Sequence, residues 1–203
     1  MNQLLIVFVK DSKKYSVKTR LKTSIGKNKS TWVYDQLLKK TVSITKKLKM
    51  DIAIFHYKTK FSKNPFQNFA KWNKIQAGNN LGEKISNAFD WGFEKGYKKI
   101  IIIGSDLWDL NKNIIDRGFS ELDKNSVVIG PSTDGGYYLL GLNKRIPKIF
   151  KGIKWGTKSV LLDTINILNN NLFLLPELND IDTYEDLIQN STLLKIYNNN
   201  FKK

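Results

Sequence analysis

The chain has 203 residues, 34 of them basic against 18 acidic, for a formal net charge of +16. Apolar residues make up 41% and there is no cysteine. That is enough for one packed core, and it excludes a wholly disordered chain, a disulfide scaffold, a thiolate metal site and a Cys nucleophile.

Gln3–Val9 is a continuous apolar run and reads as a buried strand rather than a signal peptide, since no basic segment precedes it. Lys10–Lys29 is polar and basic and reads as a loop. Ser30 or Thr31 can cap a helix that runs to about Lys49, with Tyr34, Leu37, Leu38, Thr41, Thr45 and Leu48 at helical spacing. Asp51–His56 is a second strand. Tyr57–Asn73 holds Pro65 and reads as loop, and Lys74–Ala77 as a short edge strand. Leu81–Lys95 is a helix stopped by Gly96. Lys99–Ile103 carries four consecutive isoleucines, the pattern of a central strand.

A helix near Asn111–Leu122, a strand Ser126–Gly130, a glycine-rich loop Thr133–Gly136 and a strand Tyr137–Gly141 follow. The remainder reads as a helix Lys158–Leu168, a strand Phe173–Leu175 and a helix from about Thr183. Alternating strands and helices predict a single α/β domain over residues 1–203, with a mixed, mostly parallel sheet covered by helices on both faces. The loop before Tyr137 is too short for a parallel crossover, so one strand should run antiparallel. No run reaches the roughly 18 apolar residues of a membrane helix, and a cytoplasmic location is expected.

The basic excess has two readings. A polyanion binder is one. Against it, 31 of the basic residues are Lys and only Arg20, Arg117 and Arg145 are Arg, whereas base and phosphate recognition leans on Arg. Lys with abundant Asn and Ile is also what A/T-rich codons produce. No specific nucleic-acid partner is therefore expected. Eight basic residues between Lys10 and Lys29 and six between Gly135 and Leu162 form two basic loops that suit a small phosphorylated ligand equally well.

In open α/β sheets ligands bind beyond the carboxyl ends of the strands, and four segments fall there. In the first, Lys18 and Arg20 flank Thr19 and can hold a diphosphate. Neither a dinucleotide fingerprint nor a Walker A pattern is present. In the second, Gly104-Ser105-Asp106-Leu107-Trp108-Asp109, Asp106 ends a buried strand and must be paired or metal-bound. Asp109 is the expected cap of the next helix. In the third, Asp134 precedes Gly135 and Gly136, whose backbone allows close approach of a ligand, although Asp-Gly-Gly is also a plain hairpin signal. In the fourth, Asp180 and Asp182 lie before a helix capped by Thr183 and Asp186, and both could reach a metal. With one histidine and no cysteine, the metal would be oxygen-ligated, hence Mg²⁺ or Mn²⁺.

Seven stretches, in order along nearly the whole chain, carry a family resemblance: Phe8-Val9-Lys10, Val17-Lys18-Thr19-Arg20-Leu21, Leu81-Gly82-Glu83, Ile103-Gly104-Ser105-Asp106, Gly130-Pro131 with Asp134 to Leu142, Trp155-Gly156-Thr157, and Asp180-Ile181-Asp182-Thr183 with Glu185-Asp186-Leu187. The chain resembles the GT-A-type nucleotide-diphospho-sugar transferases, in particular the rSAM/selenodomain-associated transferase type 1 (arsenosugar-biosynthesis glycosyltransferase-like) proteins. The resemblance implies a metal-dependent glycosyltransferase using a nucleoside-diphosphate sugar and a small-molecule acceptor. It implies Lys10, Lys18, Arg20, Gly135 and Gly136 as nucleotide- and phosphate-binding positions, Asp106 and Asp182 as metal ligands, and Asp134 as catalytic. Two departures stand out. Ser12, Lys13, Lys14 and Tyr15 occupy a loop where the family has Pro and Gly, and Leu107-Trp108 replaces its Cys-Pro. Related folds also transfer nucleotidyl groups to phosphorylated small molecules. A degenerate domain that only binds nucleotides or polyanions is the third alternative.

Overall fold

The computed structural model describes residues 2–169 and 171–201. Seven strands form one sheet: β1 (Gln3–Val9), β2 (Asp51–His56), β3 (Trp72–Ile75), β4 (Lys99–Ile103), β5 (Val127–Pro131), β6 (Tyr137–Leu142) and β7 (Phe173–Leu174). Their order is β3-β2-β1-β4-β6-β5-β7. Every pairing is parallel except those of β6, which runs antiparallel to both β4 and β5. The short loop before Tyr137 makes that reversal, as its length requires.

Strand alternation splits the core in two. Leu5, Val7, Ile101 and Ile103 pack on one face against Tyr34, Leu38 and Ile44 of α2 (Lys27–Thr45) and Ile115 and Phe119 of α4 (Lys112–Glu121). Leu4, Ile6, Ile100 and Ile102 pack on the other against Ile85, Ala88 and Phe89 of α3 (Leu81–Glu94) and Leu168 of α5 (Val160–Leu168). Each of the four isoleucines of β4 is at most 5% exposed, and their burial stabilises the fold by on the order of 2 kcal/mol apiece. The result is a three-layer α/β domain, as expected.

The differences are local. The first basic segment is not all loop: α1 (Thr19–Ile25) forms within it, and α2 starts at Lys27 rather than near Ser30. α1 is seven residues long, with no side-chain cap and no acid in its first turn, and would be marginal alone. Leu21 anchors it in a third small cluster with Val33, Leu37, Ile181, Leu187, Leu193 and Tyr197. That cluster also explains α7 (Ser191–Phe201), which follows α6 (Tyr184–Gln189). The edge strand lies at Trp72–Ile75, two residues before its expected place, where it pairs with Ala53–His56. α4 is capped by Asn111, whose side chain accepts the Ile114 N–H, while Asp109 accepts from the Asn190 amide at 2.8 Å. Asp109 is therefore not the cap. The Thr183–Asp186 capping box forms as read from sequence.

Candidate active site

A cavity of about 560 Å³ opens over the carboxyl ends of β1 and β4 and the start of β6, lined among others by Lys10, Lys18, Arg20, Asp106, Asp180 and Asp182. Strand β1 delivers Lys10 and β4 delivers the Gly104-Ser105-Asp106 turn. The α6 approach, bridged to Leu107 through Asp180, delivers Asp180 and Asp182. The Ile181 N–H donates to the Asp106 carbonyl at 3.1 Å, so the two acidic segments are locked edge to edge.

Lys18 sits at the centre. Its Nζ lies 2.6 Å from Asp106 Oδ1 and 2.8 Å from Asp182 Oδ1, and its side chain is 2% exposed against 46% and 44% for the two carboxylates. The backbone of Lys18 is left-handed, φ 48°, unusual for a non-glycine residue. It forms the turn that swings the side chain inward ahead of α1. Burial alone would lower the Lys18 ammonium. Asp106 and then Asp182 more than reverse that and hold it above the ordinary lysine range.

Asp180 faces the opposite balance. Its Oδ2 accepts from the Ser132 hydroxyl at 2.8 Å. Burial, reinforced by the neighbouring Asp106 charge, pushes its carboxyl up to about 7, against the pull of Ser132 and Lys18. Beneath the site, the Tyr34 hydroxyl accepts the Lys10 N–H at 2.9 Å and donates to the Lys10 carbonyl at 2.8 Å, with Ser105 Oγ 3.3 Å away. Burial, then Asp106, raises the Tyr34 phenol to about 12, so it stays a neutral clamp on the first loop.

The structure thus gathers Lys10, Lys18, Arg20, Asp106 and Asp182 around one cavity. It does not bring Asp134, Gly135 or Gly136 to the cavity wall. Asp134 Oδ1 accepts the Gly136 N–H at 2.9 Å within its own turn. Gly135 has φ +87°, and a Cβ there would lie 2.2 Å from the Lys158 carbonyl oxygen. Its close approach is to the chain ahead of α5, where the Leu161 N–H also donates to the Gly135 carbonyl. His56 is buried at the end of β2 with Nε2 3.1 Å from Asn73 Oδ1, off the cavity wall. Tyr34 and Tyr57 are cavity residues that sequence reading did not place at the site, because nothing local marks a Tyr on a helix or just past a strand end as facing one.

Among the described residues no three His, Asp or Glu side chains group as a metal cage. The donors fit a hard cation of another kind. Asp106 and Asp182 are half-exposed, share a bridging lysine and open onto the cavity of about 560 Å³ that Arg20 also lines. Mg²⁺ and Mn²⁺ are commonly held by one or two carboxylates, with phosphates and water supplying the rest.

The fold has known counterparts. A Desulfovibrio desulfuricans protein described as a "putative nucleotide-diphospho-sugar transferase" superposes with a TM-score of 0.81 and 26% identity, covering 97% of this chain and 98% of that one. The 4-diphosphocytidyl-2C-methyl-D-erythritol synthase of Anaerococcus prevotii shares the fold at a TM-score of 0.65 and 10% identity, covering 95% and 96% of the two chains. A Mycobacterium tuberculosis protein solved in complex with manganese shares it at 0.56 and 10%, covering 96% and 99%. The search of curated proteins gives no match. The fold is therefore that of the nucleotide-diphospho-sugar transferase superfamily. The model for one family, described as "Uncharacterized protein conserved in bacteria (DUF2064)", matches residues 41–157, more than half of the chain, and the chain belongs to that family.

Proposed function

We propose that the whole chain, residues 1–203, is one metal-dependent glycosyltransferase domain that takes a nucleoside-diphosphate sugar. The rSAM/selenodomain-associated type 1 transferases are the finer likeness. The observation that carries this reading is the placement of Asp106 and Asp182 on a single buried ammonium, beside Arg20, at the carboxyl ends of β1 and β4. A site for a bare polyanion would not concentrate carboxylates there. A site for a diphosphate and its counter-cation would.

Asp106 and Asp182 would hold Mg²⁺ or Mn²⁺, which supplies neutralisation of a leaving diphosphate. Arg20, exposed on α1 at the cavity edge, would grip a phosphate bidentately. Lys10 adds a second cation from the end of β1. Lys18 spends two of its donors on Asp106 and Asp182 and keeps one for a phosphate oxygen. In transfer, the acceptor hydroxyl attacks the anomeric carbon. The bond to the β-phosphate oxygen breaks, and the nucleoside diphosphate leaves with the electron pair. The acceptor proton passes to a carboxylate, the role assigned to Asp134. To reach it, the Asp134–Gly136 turn must open toward the cavity, with the Gly135 and Gly136 backbone forming the rim. Among the described residues no helix is long and apolar enough to cross a membrane, and cytoplasmic action belongs to the same proposal.

Nucleotidyl transfer to a phosphorylated small molecule is the second reading, supported by the fold shared with the Anaerococcus synthase. The bond that breaks separates the two. A panel of nucleotides and nucleoside-diphosphate sugars with Mn²⁺ or Mg²⁺ is screened by melting temperature, then by product. Metal-dependent stabilisation by a sugar nucleotide, slow release of nucleoside diphosphate, and loss of both in Asp106→Asn are expected. Pyrophosphate released from a nucleoside triphosphate, dependent on Asp106 and a phosphorylated acceptor, would overturn the glycosyl reading. Equal nucleotide affinity in Asp106→Asn would overturn both.

A further inference from the structure

A second cationic group surrounds Tyr57, which lines the cavity together with Lys10, while Lys58 and Lys84 stand outside that lining. Lys10 Nζ lies 4.8 Å from the Tyr57 ring centroid, Lys84 Nζ 5.1 Å and Lys58 Nζ 5.5 Å. Sharing one ring, the three ammoniums are within about 11 Å of one another. None has a carboxylate within 4.0 Å among the described residues. The nearest acids in sequence are engaged elsewhere. Asp11 accepts the Lys13 N–H at 3.0 Å, and Glu83 accepts from the Asn79 N–H and the Asn80 amide, each at 2.8 Å.

The group is held in place by the loop in which this chain departs from the family pattern. Tyr15 meets Tyr57 edge-on at 5.2 Å and its hydroxyl donates to Thr59 Oγ1 at 3.0 Å, while Lys14 Nζ donates to the Lys60 carbonyl at 3.1 Å. Lys58 adopts a left-handed backbone, φ 55°, and Lys84 lies in the first turn of α3. Both are unfavourable positions for a lysine: one is strained, and the other sets a cation against the positive end of a helix. Three unpaired cations gathered on one aromatic wall become favourable when an anion sits among them.

We infer that Lys10, Lys58 and Lys84, arrayed on Tyr57, form a phosphate subsite separate from the Lys18–Asp106–Asp182 cluster. Its occupant is a terminal phosphate group, either that of a phosphorylated acceptor or the third phosphate of a nucleoside triphosphate. The inference shares Lys10 and Tyr57 with the cavity of the transferase reading but rests on binding alone, and its test needs no turnover.

The test uses the full chain in EDTA with orthophosphate as probe, titrated by ³¹P NMR, in the wild type and in Lys58→Asn/Lys84→Gln. Asn tolerates the left-handed backbone, and both side chains reach solvent, so the melting temperature should hold and confirm folding. Millimolar binding that weakens at least fivefold in the double variant is expected. Parallel titrations identify the source. A selective loss for hexose 6-phosphate over free hexose marks an acceptor phosphate, and a selective loss for nucleoside triphosphates over diphosphates marks the nucleotide. Orthophosphate affinity unchanged by the substitutions, or absent from the wild type at 10 mM, overturns the subsite. Sugar-nucleotide stabilisation through Asp106, measured on the same variant, reports on the transferase reading separately.

Discussion

Asp180→Asn should make this protein more stable, by an amount that grows as pH rises from about 4 to about 7. Asp180 is acid-raised in the folded state, from 3.8 to about 7. A carboxyl that is harder to ionise when folded contributes stability at low pH, and that contribution is lost as pH rises from about 4 to about 7. A shift of about three units corresponds to roughly 4 kcal/mol at pH 8. Asp180 is only partly buried, so solvent screens part of this, and about 2 kcal/mol is the expected gain. Asn keeps the acceptor for the Ser132 hydroxyl and carries no charge for Asp106 to repel. For a domain of this size the gain amounts to roughly 4–8 °C in melting temperature. Thermal unfolding in EDTA at pH 8 and pH 4, wild type against variant, measures it. The difference should shrink to below about 1 kcal/mol at pH 4. A destabilised variant at pH 8, or a gain equal at both pH values, would refute the account of Asp180 as a carboxyl crowded by burial and a neighbouring charge.

Three further outcomes follow from the same geometry. Lys18→Met should cost about 2–3 kcal/mol, less than a fully buried pair because its partners are half-exposed. Lys18 is held above its ordinary value and loses its proton only beyond the usual lysine range, so denaturant titrations should show a constant loss between about pH 6 and 9; a loss under 0.5 kcal/mol contradicts the bridge. Gly135→Ala should cost at least about 2 kcal/mol, since its φ of +87° and a Cβ 2.2 Å from a backbone oxygen leave no relief. At Gly136 a Cβ meets only Asp134 Oδ1 at 3.1 Å, so Gly136→Ala should stay within about 1 kcal/mol, and equal effects would refute the assigned roles of the two glycines. Among the described residues the buried Tyr137 hydroxyl has no hydrogen-bond partner at normal geometry. Tyr137→Phe should therefore leave stability unchanged or raise it by up to about 2 kcal/mol in calorimetry, and a loss would reveal a partner.

The layers were legible in the sequence because hydrophobic period decides them. The Ile100–Ile103 run can only be a strand buried on both faces, and the brevity of the loop before Tyr137 forces β6 to reverse. What escaped notice was short and held by distant contacts. α1 buries one side chain, Leu21, against residues up to Tyr197. Neither the composition of Thr19–Ile25 nor its caps announce a helix. The site shows the same division. Lys18, Arg20, Asp106 and Asp182 all stand out as chemistry-bearing residues in segments that follow strands. That one of them neutralises two others across 164 positions of chain is a property of topology alone. Read separately, Lys18 looks like a free phosphate ligand; in the fold it is first a counter-ion. Asp134 shows the converse, since its local Asp-Gly-Gly pattern satisfies itself as a turn.

The position of the acids bears on the +16 charge. A chain with almost twice as many bases as acids places Asp106, Asp180 and Asp182 on one cavity wall, with a single buried lysine to balance them. Burial, and after it the Asp106 charge, keeps Asp180 hard to ionise, and Lys18 fails to offset the full cost. Folding alone gives no reason to accept that arrangement, since apolar replacements of such a cluster are often neutral or stabilising. A groove evolved for a polyanion would avoid it, because each carboxylate repels the phosphates that the lysines attract. The arrangement becomes favourable once a further positive charge enters between the carboxylates and a phosphate oxygen. On the proposed reading, the general basicity would act at long range, concentrating small anions near the molecule, while the carboxylates would select those that arrive with a cation.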